Sequence, residues 1–170
     1  MQYLDIRMQY LLEQTGTLKI GASTFDDAHK IALRVNAIPS EVCTSNDCGW
    51  YVHIDNSILP GLWRGPVTDF LVSFQVKDSI VINRIYRYRI GNGMNSSSIE
   101  INEHADSRGC LEPICISRQT KENNPYYRTS VFMTPAVSME YRKRYLSFNM
   151  NCMWKFRGCK NALDLLPTIN

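Results

Sequence analysis

The sequence predicts an α+β domain, with N-terminal helices packed on one face of a mostly antiparallel sheet of roughly six strands. Three observations lead there. Two amphipathic stretches of helical period open the chain, alternating apolar runs follow them, and those runs are mostly joined by short turns.

The clearest signal is the stretch from Phe70 to Ile90. Phe70, Val72, Phe74 and Val76 alternate with Leu71, Ser73 and Gln75, Lys77-Asp78-Ser79 supplies turn chemistry, and the apolar run resumes through Ile80, Ile82, Tyr86, Tyr88 and Ile90. This predicts a β-hairpin with one apolar face, on which Ile80 and Ile82 join the tyrosines. A lone hairpin is not stable, so other elements must cover that face.

The remaining elements follow in order. Leu4, Met8, Leu11 and Leu12 fall at i, i+4, i+7 and i+8, which predicts a first helix ended by Gly16. Leu18 to Gly21 reads as a short extended piece. Ser23 and Thr24 with Asp26 and Asp27 open a second helix whose buried stripe is Phe25, Ala28, Ala32 and Val35, and Pro39 prevents its continuation. Trp50, Val52 and Ile54 mark a strand launched from the Cys43 to Cys48 turn, and Ile99 to Asn102 marks another. Residues 56–66 read as a loop, and the pattern weakens from His104 to Asn124. Tyr127 to Met133 reads as a strand cut by Pro135, with Arg144 to Cys152 as its antiparallel partner. Ala162 to Leu166 fits a short helical turn or a packed apolar tail. The Leu18-x-x-Gly21-x-Ser23 step after two helices, followed by a strand meander, resembles small outer-membrane lipoproteins of the SmpA and OmlA type. The resemblance covers the opening part of the chain, and the chain departs from it in having no lipid-accepting cysteine near Met1.

Length and composition bound the function. At 170 residues and 44% hydrophobic, the chain is long enough for one sizeable core, and residues 1–170 are expected to form a single, disulfide-stabilised domain. A net charge of +3 with dispersed Lys and Arg does not mark a nucleic-acid or anionic-membrane binder. No apolar run approaches the ~18 residues that a membrane-spanning helix needs. Met1 to Asp5 lacks the basic and apolar regions of a signal peptide, so the chain is expected to be either cytosolic or a mature form. The cysteines decide for export. Cys43 with Cys48, Cys110 with Cys115, and Cys152 with Cys159 are three near neighbours, as a disulfide-bearing extracellular, periplasmic or cell-envelope domain would show. Their spacings of four, four and six residues do not suit zinc, and no C-x-x-C redox motif occurs. Other pairings among the six remain open.

No metal, cofactor or catalytic residue is expected. The histidines are His29, His53 and His104. His53 lies near Asp55, and His104 lies between Glu103 and Asp106, but no G-x-S-x-G, H-E-x-x-H or phosphate-binding glycine loop supplies a reactive setting. His29 and His53 are expected on solvent-facing surfaces. Arg84, Arg87 and Arg89 alternate with Tyr86 and Tyr88, which predicts tyrosines inward and arginines in water rather than an RNA-stacking sheet. Arg142 to Arg144 reads as a solvated turn, and Asn95-Ser96-Ser97 matches a glycosylation acceptor. The expected function is therefore an exported structural or binding domain without catalysis, engaging a protein partner or its own copies by strand addition, with any small-molecule ligand unspecified. The alternatives are a small envelope hydrolase using His53 or His104 with a carboxylate, and a cytosolic inhibitor or immunity-type protein with reduced thiols.

Overall fold

A computed structural model describes residues 2–55, 68–91, 97–106, 113–121 and 124–148. The chain runs α1 (Gln2–Gly16), α2 (Phe25–Val35), β1 (Ile38–Pro39), β2 (Cys48–Asp55), β3 (Thr68–Lys77), β4 (Ile80–Ile90), β5 (Ser97–His104), β6 (Ile114–Lys121), β7 (Asn124–Met133) and α3 (Met139–Leu146). The strands form one sheet in the order β1-β2-β3-β4-β5-β7-β6, antiparallel throughout except for the parallel pair β5 and β7. The α+β architecture is as expected, with seven strands in place of six among the described residues.

Two strands are unexpected, the two-residue β1 beside β2 and β6, which pairs with β7 as a hairpin, while one expected strand is absent. Ile116, Ser117 and Gln119 on β6 are exposed. A sheet-edge strand exposed in this way has little reason to alternate apolar with polar residues, so the segment carries no legible period. With β5 on one side of β7 and β6 on the other, no position is left for the strand expected over Arg144 to Cys152. Arg144 to Leu146 instead belong to α3, started by Ser138, whose Oγ accepts from Tyr141 N at 3.4 Å. Residues 149–152 lie outside the described residues, as do Ala162 to Leu166.

The hairpin of β3 and β4 forms the centre of the sheet. Its turn is Asp78–Ser79, with φ of 51° and 65°, the left-handed pair that a two-residue hairpin requires. Neither residue is glycine, and the surroundings hold the conformation. Ser79 N donates to Asn46 O at 3.0 Å, Ser79 Oγ donates to Asn46 Oδ1 at 2.8 Å, and Ser79 O accepts from Phe25 N at 2.9 Å. A bulge between Gln75 and Val76 then changes the register: Val76 pairs with Val81, but Phe74 pairs with Arg84. Val81 therefore joins the core while Ile80 and Ile82 are only half-buried, which corrects the expected face.

The inner face carries Trp50, Val52, Ile54, Phe70, Val72, Phe74, Val76, Tyr86, Tyr88, Ile99, Ile101 and Val131, all buried. Met8 and Leu11 of α1 and Ala28, Ile31, Ala32 and Val35 of α2 pack into the same core, while Phe25 is half-buried. Thr24 caps α2 in a reciprocal capping box with Asp27, and Asn36 ends it in a left-handed conformation. Leu18 and Lys19 belong to no helix or strand, and Ile20 to Ala22 form a turn. Gly21, at φ 78°, donates its N–H to Val81 O, and Val81 N donates to Ser23 O, both at 2.8 Å. Beyond α3, Phe148 packs on Phe70 and Tyr88, with ring centres 6.4 and 6.5 Å away.

Cys43 and Cys48 are bonded, as their spacing predicts. Cys115 is disulfide-bonded too, and Cys110, Cys152 and Cys159 lie outside the described residues. The Cys43–Cys48 loop presents Asn46 to the β3–β4 turn, so the bond also braces the central hairpin. Replacing both cysteines with serine is expected to lower stability by about 2 kcal/mol, the loop-entropy figure for so short a ring. A chemical-denaturation midpoint unchanged by the double variant would refute this.

Candidate functional site

Arg84 lies on the inner face, two residues before Tyr86 and on the same side of the strand, which corrects the expectation that the arginines of this strand all face water. Arg84 pairs across the sheet with Glu103, and the two are 2% and 0% exposed. A guanidinium cannot lie there unless every donor is satisfied. Its Nε and Nη2 donate to Glu103 Oε2, and its Nη1 donates to the Thr15 and Leu18 carbonyls at the end of α1. Arg142 of α3 reaches the same carboxylate, with Nη1 donating to Glu103 Oε1 at 3.1 Å, Nε to Val137 O at 2.9 Å and Nη2 to Thr134 O at 2.8 Å. One carboxylate and two guanidiniums thus fasten α1, β4, β5 and α3 together. Burial works against the Arg84 charge, but the neighbouring Tyr86 and Glu103 outweigh it and raise its pKa. Burial likewise pushes the Tyr86 phenol up, with Arg84, 5.5 Å from the ring centre, pulling partly back. Tyr86 stays neutral and shares a 3.2 Å hydrogen bond with Thr15 Oγ1.

Above this cluster lies a groove of about 930 Å³. One wall is α1 and the turn after it, through Leu12, Gly16, Leu18, Ile20 and Ala22; the other is α3 and its approach, through Pro135, Val137, Met139 and Leu146. Lys19, Arg84, Arg142 and Lys143 also line it, together with Gln9 and Glu13. A second recess of about 500 Å³ shares Thr17, Leu18, Lys19 and Ala22 and continues past Lys30 and Arg34 of α2. Apolar walls with a few converging polar groups, at a volume within the roughly 300–1,000 Å³ usual for ligand sites, mark the larger groove as the candidate site. The helical period of α1 predicts the burial of Met8 and Leu11, but the opposite wall is hidden in the sequence, where Arg142 to Arg144 reads as a turn and Arg144 onward as a strand.

The histidines lie elsewhere. His29 is exposed on α2, 6.3 Å from the Trp50 ring centre. His53 is exposed on the outer face, with Nδ1 3.8 Å from Asp55 and Nε2 4.0 Å from Asp69. His104 Nδ1 is 2.7 Å from Asp106. Neither His53 nor His104 lines the groove. Among the described residues no group of three or more His, Cys, Asp or Glu is placed to hold a metal ion, and no helix is long and apolar enough to cross a membrane. Asn95 lies outside the described residues.

Arg87 and Arg89 do face outward, but into ion pairs rather than open water. Arg89 pairs with Asp69, while Arg87 and Arg128 meet Glu100 at 2.9 and 2.7 Å. Two carboxylates thus engage the three guanidiniums, which leaves less of their charge for a phosphate backbone. Arg142 to Arg144 belong to α3 rather than to a solvated turn, with Arg142 turned inward and Lys143 exposed. Burial raises the Glu100 pKa, but hydrogen bonds from Asn102, Arg128 and Arg87 more than offset it, so the carboxyl titrates below its ordinary value. A depressed pKa contributes stability that is complete above the unfolded-state value and lost as pH falls through the folded-state value. Thermal melts of Glu100→Gln are therefore expected to fall less steeply with acid than those of the native chain; parallel curves would exclude the effect.

No protein-family model matches the chain, and comparisons with curated proteins and with solved structures return no similar protein, so the resemblance to small lipoproteins gains no support from them.

Proposed function

We propose that the chain is an exported binding domain of the cell envelope or extracellular space, which holds its ligand in the groove between α1 and α3 and carries out no reaction. One observation carries this reading: the apolar groove and the imidazole–carboxylate pairs occupy different parts of the molecule. A hydrolytic site needs them to converge on a bound substrate. Of the charged groups that line the groove, Arg84 and Arg142 are tied to Glu103 beneath it and to backbone carbonyls. Export is supported by the oxidised Cys43, Cys48 and Cys115, since such bonds persist outside reducing compartments. A protein partner or second copy would add as a strand at β6, an edge of the sheet with Ile116 exposed.

Native mass spectrometry of protein taken from its natural source and alkylated without reduction tests both parts. The expected spectrum shows no alkylated cysteine and one co-purifying molecule per chain. Six alkylated thiols, or turnover of a hydrolase substrate that His53→Ala or His104→Ala abolishes, would overturn the reading.

A further inference from the structure

The groove has a charge sign as well as an apolar wall, and we infer that its ligand is an anionic amphiphile, a single apolar chain carrying one acidic head group. This deepens the binding reading above and rests on it. Four cationic side chains, Lys19, Arg84, Arg142 and Lys143, line the groove against the carboxylates of Glu13 in its lining and Glu103 beneath, leaving two positive charges in excess. The two guanidiniums are already engaged by Glu103 and by backbone carbonyls, so they act on a ligand through their field. Lys19 and Lys143 are exposed, one on each wall, and their flexible ammonium groups are the ones placed to meet an acidic head.

The rest of the groove suits an alkyl chain better than a peptide. The carbonyls of the lining residues Leu18 and Val137 already accept from Arg84 and Arg142, which leaves fewer partners for an extended backbone. An alkyl chain needs none.

Calorimetric titration of the full chain with octanoate, decanoate and dodecanoate, each below its micelle concentration, tests the inference. One saturable site is expected, tightening about fourfold per added methylene. Decanol and decyltrimethylammonium should bind more weakly than decanoate. The double variant Lys19→Ala/Lys143→Ala should weaken decanoate by about tenfold and leave decanol unchanged. Gly16→Phe should block all of them, because a side chain there meets nothing within 4 Å and Gly16 lines the groove at ordinary φ. Equal affinity for the three decyl head groups would overturn the acidic head while leaving the binding groove standing. Absence of a saturable site for any amphiphile would overturn the inference, and a co-purifying molecule on the native protein would then show that the broader binding reading survives. Lysine-dependent binding only to anionic vesicles or to acidic peptides would overturn it in favour of a membrane or protein partner.

Discussion

Replacing Glu103 with alanine is expected to lower the stability of the protein by about 3–5 kcal/mol, the usual result of removing one partner from a buried ionic group. Glu103 is fully buried between Arg84 and Arg142. Without it, Arg84 keeps the Thr15 and Leu18 carbonyls but is left charged in the core, and Arg142 loses its tie to the sheet. The loss should appear as a lower denaturant midpoint together with release of α3. The contrast that isolates the cause is a triple variant, Arg84→Met, Glu103→Leu and Arg142→Met, which removes all three charges and is expected within about 1 kcal/mol of the native chain if the replacements pack. A Glu103→Ala loss below about 1 kcal/mol would mean that the cluster is hydrated and not a fastener.

Trp50→Ala is expected to be comparably damaging, at about 3–5 kcal/mol, because a large buried aromatic is removed and its neighbours cannot close the space. Trp50 is 4% exposed on β2 and sits between Phe25 of α2 and Phe74 of β3, each 5.5 Å away between ring centres. It therefore joins helix to sheet as well as filling volume. The adjacent Tyr51, 39% exposed on the opposite face, provides the control, and Tyr51→Ala is expected to shift stability by no more than about 0.5 kcal/mol. Equal losses for the two variants would refute the alternation on which the assignment of faces depends.

These two sites differ in how far the sequence disclosed them. Trp50 was legible because β2 alternates without interruption, so a period of two settles which face each side chain takes. Glu103 and Arg84 were not. Arg84 shares the parity of Tyr86 and Tyr88, so the alternation itself turns it inward with them; what no period shows is the carboxylate across the sheet that lets a guanidinium lie there, and the bulge opposite Gln75 and Val76 changes only the face of Ile80 to Ile82. The bulge has little signature in residue type here, since Ile82 is ordinary for a strand and only Asn83 is not. The same limit applies at α3. Tyr145, Leu146, Ser147 and Phe148 alternate well enough for a strand, and only the occupancy of both sides of β7 excludes that outcome.

What the sequence by itself determined was local: the two opening helices, the central hairpin, the inward set from Trp50 to Val76, and the Cys43–Cys48 ring. Each depends on periodicity or spacing within a few residues. The tertiary structure alone decided the buried charge cluster and the groove above it, because both are made by residues far apart in the chain, Thr15, Arg84, Glu103 and Arg142, whose meeting depends on strand register and on where α3 comes to rest.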